Sequence, residues 1–116
     1  MAARPADPAP PSLTPAMHHI LLALLREPLH GYAIMQAIEA LTQGEMRLGP
    51  GTLYTSLRKL LEGGLVEESG ERPDADDERR RYYRISSAGR AAVVAQTQRM
   101  ANLVRFANRH ARGLLA

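Results

Sequence analysis

The chain has 116 residues, 45% hydrophobic and 23% charged, which fits one globular domain and excludes two full ones. It contains no Cys, so disulfides, thiolate zinc sites and cysteine nucleophiles are excluded. The net charge is +3, and residues 79–116 contain nine Arg and no acidic residue. Such a basic block suits a polyanionic partner such as nucleic acid, but it also fits a solvated Arg-rich surface.

Residues 1–13 are rich in Pro and Ala and are predicted to form a disordered arm, because such a composition cannot pack a core. The longest apolar run, from Ile20 to Leu25, is far shorter than the roughly 20 residues of a membrane span. There is also no charged-then-apolar signal pattern at the N-terminus. We therefore expect a cytoplasmic protein.

Two short helices are predicted next. Thr14 before Pro15 is typical of an N-cap followed by Pro at the first helical position, and apolar residues then recur at helical spacing to about Arg26. Pro28 ends this helix. A second helix begins after the His30-Gly31 turn and ends near Gly44, and the alternation in residues 46–48 indicates a brief strand.

A third helix follows the break at residues 49–51, and its two faces differ. Four Leu cluster on one face, while the residues on the other are small, hydroxylated or basic. Short side chains allow a helix backbone to approach DNA bases, and hydroxyl and basic groups contact base edges or phosphates. The candidate DNA contacts here are Gly51, Thr52, Thr55, Ser56, Arg58 and Lys59.

A hairpin with a long charged tip is predicted after the third helix. Residues 65–68 and 80–85 read as strands, with Arg81, Tyr83 and Ile85 on one face, and the intervening segment is strongly acidic. Basic residues at the base of the second strand would suit phosphates or a minor groove, or would simply neutralise the neighbouring acids. The candidate contacts are Arg79, Arg80, Arg81 and Tyr82.

The last predicted helix covers about residues 87–112, with Ser86 as its cap. Apolar and small residues in it follow alternating steps of four and three, which is typical of a helix that packs on a partner. We interpret this stripe as a dimer seam rather than a ligand site. Its members are Val93, Thr97, Met100, Val104, Ala107, Ala111 and Leu114.

The element order, three short helices and then a hairpin, predicts a winged helix-turn-helix. The fold class is mainly α with a small β-hairpin. We divide the chain into the arm, a DNA-binding domain over residues 14–86 and a dimerisation helix over residues 87–116.

Four stretches of residues 18–90 resemble the PadR family of transcriptional regulators. They are His30-Gly31-Tyr32, Gly51-Thr52-Leu53-Tyr54 with Leu57, Lys59 and Leu60, then Gly64-Leu65-Val66, and the stretch from Arg81 to Gly89. The resemblance implies a homodimeric DNA-binding repressor in which Tyr54 contacts phosphate. It also implies dimerisation through the C-terminal helix assisted by helix 1, where Met17 and Leu21 lie. Ser86 stands where the family commonly has Thr, and the acidic insertion at residues 73–78 is longer than the family pattern.

Catalytic and metal chemistry finds no support in the sequence. His18 and His19 are adjacent and cannot form an i, i+4 metal pair, no Ser has a nucleophile-elbow context, and no phosphate-binding glycine motif occurs. We expect no enzyme activity, metal or cofactor. The sequence leaves open whether a small-molecule effector binds at the dimer interface, in a pocket formed by Met17, Met100 and Phe106.

Two functional hypotheses follow. The first is a sequence-specific dimeric regulator of transcription that reads an inverted repeat with helix 3 in the major groove. The second is a winged-helix module that binds another protein through the acidic loop at residues 67–78 and binds DNA only non-specifically.

Overall fold

The computed structural model describes residues 12–70 and 80–115, with side chains as far as Ala111. The predicted arm therefore lies almost entirely outside the described residues, as do Arg79 and the acidic insertion at residues 73–78. The elements follow the order α1, β1, α2, α3, β2, β3, α4.

Helix α1 covers Pro15–Ala23 and begins as the sequence predicts. The Thr14 hydroxyl accepts a hydrogen bond of 3.1 Å from the Met17 amide, so one of the unpaired amides of the first turn is satisfied. The helix ends three residues before the predicted Arg26. The reason is a tighter last turn, in which the Leu24 amide bonds to the carbonyls of both Ile20 and Leu21 ahead of Pro28.

Helix α2 covers Gly31–Leu41 and is followed by a turn that the sequence pattern did not predict correctly. The Thr42 hydroxyl donates 2.9 Å to the Ile38 carbonyl and accepts 3.0 Å from the Met46 amide. Residues 46–48 form no strand, so that prediction is wrong. Their chain instead folds back on the end of α2 before Gly49.

Helix α3 covers Pro50–Glu62 and ends at a glycine pair. Gly64 has φ +75°, and the amides of Gly64 and Leu65 bond to the carbonyls of Leu61 and Leu60. This is the Schellman arrangement, which needs a left-handed residue and therefore favours glycine. It sends the chain directly into the sheet.

The sheet has three antiparallel strands in the order β1-β3-β2. They are β1 (Leu29–His30), β2 (Val66–Ser69) and β3 (Tyr82–Ile85), so the hairpin of β2 and β3 predicted from the sequence gains a short third strand. Of the predicted face, Arg81 lies before β3 and is exposed, whereas Tyr83 and Ile85 are buried, as is the neighbouring Tyr82. Tyr82 is covered by its cross-strand neighbour His30.

One core joins α1, α2, α3, the sheet and the first turns of α4. It includes Met17, Leu21 and Val93, which are 8%, 0% and 6% exposed. All three were candidates for the dimer seam. The structure contradicts that prediction, because a side chain buried in its own protomer has no surface to offer a second protomer.

Helix α4 covers Ser87–Leu115, about 43 Å at 1.5 Å per residue. Only its first turns join the core, through Gly89, Ala92 and Val93, and residues 102–110 are all exposed. The Ser86 hydroxyl accepts 3.0 Å from the Gly89 amide and donates 2.6 Å to the Gly64 carbonyl, so the predicted cap is confirmed. Among residues 12–70 and 80–115, no helix is long and apolar enough to cross a membrane.

Candidate nucleic-acid interface

The outward face of α3 is polar. Thr52, Thr55, Arg58 and Lys59 are all exposed, as predicted from the helical spacing, while Leu53, Leu57 and Leu60 anchor the opposite face in the core. Two hydroxyls and two cations thus share one solvent-facing surface. Such groups can donate to phosphates and to base edges.

Ser56 does not belong to this face. Its side chain is only 7% exposed, because it lies on the same side of the helix as Leu53, Leu57 and Leu60. The sequence placed it at the edge of the polar face, where a small rotation of the helix decides between solvent and core. Ser56 is therefore removed from the candidate contacts.

The first turn of α3 presents open backbone. Gly49 is the N-cap and makes no side-chain hydrogen bond, Pro50 has no backbone N–H to donate, and a Cβ added at Gly51 would meet nothing within 4 Å. The first amides of any helix lack partners inside it and carry the positive end of the helix dipole. A phosphate could approach this turn closely.

Tyr54 connects α3 to the beginning of α2. Its side chain is 47% exposed, and its hydroxyl lies so close to Gly31 that a Cβ at position 31 would overlap it. Gly31 therefore allows the Tyr54 ring to lie against the N-terminus of α2 while about half of the residue stays exposed. The role that the family resemblance implies for Tyr54, a phosphate contact, is compatible with this exposure.

Arg81, just before β3, and Arg84 within it face acidic partners on β2. The Arg84 Nε donates 3.0 Å to Glu67 Oε1, and Arg81 Nη1 lies 3.9 Å from Glu68 Oε2, both pairs being exposed. Exposed ion pairs contribute little to stability, so they would yield readily to a phosphate. The other reading of the basic stretch, in which its arginines neutralise the acids of the neighbouring insertion, concerns residues 74–78, which lie outside the described residues.

Tyr82 is not available as a surface contact. It is 3% exposed and packs edge-on against His30, with ring centroids 5.3 Å apart and an interplanar angle of 87°. Its prediction as a DNA contact is corrected, because the short strand β1, which the sequence pattern missed, covers it. The neighbouring Arg80 is exposed, and its Nη1 lies 3.0 Å from His30 Nε2.

These side chains surround a recess of about 430 Å³ between α2, α3 and the sheet. We call it the wing recess; it is lined by His30, Gly31, Tyr32, Tyr54, Arg80, Arg81 and Tyr83. Tyr32 is 59% exposed and was not among the predicted contacts. The signal that could have found it is its place in the His30-Gly31-Tyr32 motif at the start of α2.

The distal half of α4 exposes a line of apolar side chains. Met100 and Val104 from the predicted stripe are 44% and 57% exposed, and Ala107 is exposed too. Leu103 is 69% exposed and neighbours Met100 and Ala107 on the helix surface, yet the strict steps of four and three omitted it. Ala111 is half-buried, and the side chain of Leu114 lies outside the described residues.

The geometry has close counterparts among known proteins. The model of the family described as "Transcriptional regulator PadR-like family" matches residues 20–95. The chain belongs to this family. The resemblance noted from the four sequence stretches is thereby confirmed, and so is the expected class of fold, mainly helical with a winged helix-turn-helix and a long C-terminal helix.

Individual relatives of this PadR-like regulator agree with the assignment. It is 34% identical over 87 residues to transcriptional regulator Rv3488 of Mycobacterium tuberculosis, an alignment that covers 75% of the chain and 77% of the relative. It is also 40% identical over 84 residues to an uncharacterised 37.1 kDa protein in transposon TN4556 of Streptomyces fradiae. That alignment covers 72% of the chain but only 22% of the transposon protein.

Solved structures match the same fold. A PadR family transcription regulator from Clostridium difficile superposes with a TM-score of 0.69 at 20% identity, covering 81% of this PadR-like chain and 95% of the other. RosR of H. salinarum superposes with a TM-score of 0.62 at 30% identity, covering 78% and 76% of the two chains.

Proposed function

We propose that this PadR-like regulator binds specific DNA sequences as a homodimeric repressor, with α3 in the major groove and the hairpin of β2 and β3 on the backbone or in the minor groove. The observation that carries the proposal is the exposed face of α3. It combines hydroxyls, Arg58 and Lys59 with the open first turn at Gly51. Family membership supports a role in transcription.

The contacts divide into two groups. Thr52, Thr55, Arg58 and Lys59 would reach base edges or phosphates from α3, while Tyr54, Arg80 and Arg81 around the wing recess would position the backbone. In a two-fold dimer each protomer would read one half-site, so the operator would be an inverted repeat with centres about one helical turn, roughly 34 Å, apart or a multiple of it.

A second protomer would use the distal part of α4. Met100, Leu103, Val104 and Ala107 stand at spacings of three and four on one side of the helix and are exposed in the protomer. An effector pocket that includes Met17 has no support, because Met17 is buried in the core. Met100 and Phe106 remain exposed for an effector between protomers.

The test is selection of binding sites from a random duplex pool by the purified protein at physiological salt. An enriched pseudo-palindrome supports the proposal and gives the half-site spacing. If the pool stays random and affinity remains in the non-specific range of about 10⁻⁴ to 10⁻⁶ M, the proposal fails in favour of a protein-binding module.

Lys59→Ala tests one contact within that complex. If Lys59 neutralises a phosphate, the slope of log affinity against log salt should become less steep by about 0.9. Arg99→Ala is the matched control, since it removes one exposed cation from α4 rather than from α3. An unchanged slope in Lys59→Ala, or an equal change in the control, rejects this contact.

A further inference from the structure

His30 stands between the helix-turn-helix and the base of the β2–β3 hairpin. It is 8% exposed and is the N-cap residue of α2. Its Nδ1 lies 3.2 Å from the Ala33 amide, and its Nε2 lies 3.0 Å from Nη1 of Arg80. One buried ring therefore touches both the start of α2 and an arginine at the edge of the wing recess.

Both neighbours of the ring are hydrogen-bond donors. A backbone amide and a guanidinium can only donate, whereas a neutral imidazole has one N–H and one lone pair, and a protonated imidazole has no lone pair. The two contacts cannot both be hydrogen bonds at the same moment. His30 must either accept from Arg80 through Nε2, with the proton on Nδ1, or accept from Ala33 through Nδ1, with the proton on Nε2.

The two choices differ in strength. A bond donated by a charged guanidinium is stronger than one donated by a neutral amide, so the contact with Arg80 prevails in the absence of DNA. A phosphate is an anionic acceptor and competes better for the guanidinium than a neutral ring does. Once a phosphate has taken Arg80, the ring can lose its Nδ1 proton to water and take one from water at Nε2, so that Nδ1 accepts from the Ala33 amide and completes the cap of α2.

From these contacts we propose that His30 is a positioning residue. Its Nε2 accepts from Arg80 and holds it in the DNA-free protein, and its Nδ1 accepts from the Ala33 amide of α2 when a phosphate takes the guanidinium. The inference rests on the proposed DNA-binding function. It adds that Arg80 changes its partner from His30 to the DNA backbone, and that this change alters the capping of α2.

The first test needs no DNA. Nitrogen-15 NMR of the imidazole rings reports which ring nitrogen carries the proton, and the His30 signal is assigned by its absence in His30→Asn. Wild type should carry the proton on Nδ1, and Arg80→Met, which keeps length but has no donor, should move it to Nε2. Arg81→Met, which removes a neighbouring arginine paired with Glu68, should leave it on Nδ1.

The result that overturns the proposal is a wild-type His30 with its proton on Nε2, or a tautomer that Arg80→Met leaves unchanged. Because these measurements concern the free protein, they stand even if no operator sequence exists. Failure of the site selection and failure of this inference are thus separate results.

The second test measures affinity for a random-sequence duplex at fixed salt. His30→Asn keeps an N-cap acceptor for α2 but is too short to hold Arg80, so we expect binding about three- to tenfold tighter than wild type. In the Arg80→Met background the same change should have no effect. Equal or weaker binding by His30→Asn, or a gain that persists in Arg80→Met, contradicts the proposal; thermal melts confirm that each variant is folded.

Discussion

At the residue scale, Gly31 decides where Tyr54 can lie. A methyl group at position 31 would overlap the Tyr54 hydroxyl, and the atom in the way is the end of a half-exposed side chain rather than backbone. Such a side chain can turn away at small cost. Gly31 therefore matters more for the surface around α3 than for the stability of the fold.

We predict that Gly31→Ala leaves the melting temperature within a few degrees of wild type but weakens duplex binding, because Tyr54 is displaced from the wing recess. The loss should match that of Tyr54→Phe if the hydroxyl makes the contact, and the double variant should be no worse than either single one. Gly51→Ala is the control for stability, since nothing lies within 4 Å of a Cβ there. Additive losses would show that the two residues act separately.

His18 is a second residue whose environment has a measurable consequence. It is 4% exposed and its Nδ1 has no hydrogen-bond partner. Burial, with a smaller contribution from the charge of His19, lowers the pKa of His18 below its usual 6.5. The unfolded chain therefore takes up a proton at a higher pH than the folded one.

The sign of the effect follows from this difference. His18 leaves stability unchanged above about pH 6.5, and the free energy of unfolding should fall as the pH drops below that value towards the lowered pKa, by up to about 1.4 kcal/mol per pH unit. His18→Leu should flatten this decline in denaturant titrations, whereas His110→Gln, on the exposed part of α4, should not. The same decline in His18→Leu would exclude His18 as its source.

The residue scale is also where sequence reasoning was least complete. The pattern gave the exposed side of α3 correctly at Thr52, Thr55 and Lys59, because helical spacing fixes those directions. It failed for Ser56, which lies at the boundary of the face, and for Tyr82, which is covered by a strand of two residues. The contact between His30 and Arg80 joins positions 50 residues apart and leaves no local signal.

At the scale of elements, α3, the sheet and α4 meet at one place. We call residues 64–65, 86 and 89 the α3–α4 junction. The Ser86 amide donates 3.0 Å to the Leu65 carbonyl, and its hydroxyl donates to the Gly64 carbonyl. A Cβ at Gly89 would overlap the Leu65 carbonyl oxygen and lie 2.7 Å from Ile85 Cγ1. Only glycine allows α4 to approach this closely.

Gly89→Ala should destabilise the protein by about 1–3 kcal/mol, because the added methyl group meets backbone that is held by the Schellman turn. Denaturant unfolding followed by circular dichroism measures the change. Gly51→Ala carries the same substitution into open space and should be neutral or slightly stabilising. A neutral Gly89→Ala would mean that α4 can shift without loss.

Most elements could be predicted because each has a strong local cause. Thr14-Pro15, Gly63-Gly64 and Ser86 mark helix ends by capping chemistry, and the Leu spacing of α3 marks its buried face. Strand β1 could not be predicted, since two residues carry no periodicity and its pairing with β3 is long-range. The false strand at residues 46–48 reflects the same weakness of short alternating patterns.

At the scale of the whole molecule, α4 extends beyond the core. Its described side chains from residue 102 to 110 are all exposed, and the line formed by Met100, Leu103, Val104 and Ala107 has no cover within the described protomer. An apolar line on an exposed helix is stable in water when a second surface covers it. A second copy of the chain is the proposed cover.

Met100→Glu with Val104→Glu should therefore convert a dimer to a monomer of 12.7 kDa in sedimentation experiments at micromolar concentration. Specific DNA binding should be lost with it, while α-helix content is kept. Gln98→Glu with Asn102→Glu places the same two charges on the opposite side of α4 and should leave the mass unchanged. A variant that sediments like wild type would place the dimer contact elsewhere.

The α3–α4 junction connects α3, the proposed DNA-reading helix, to α4, the proposed dimerisation helix. Ser86 and Gly89 contact Gly64 and Leu65 directly, so a tilt of α4 would act on the turn that follows α3. A tilt of about 5° acting over the roughly 43 Å of α4 displaces its far end by about 4 Å, close to the rise of one base pair. In the proposed dimer, a molecule that changes the angle between the two α4 helices would therefore alter the spacing of the two α3 helices and, with it, the length of the DNA site that fits.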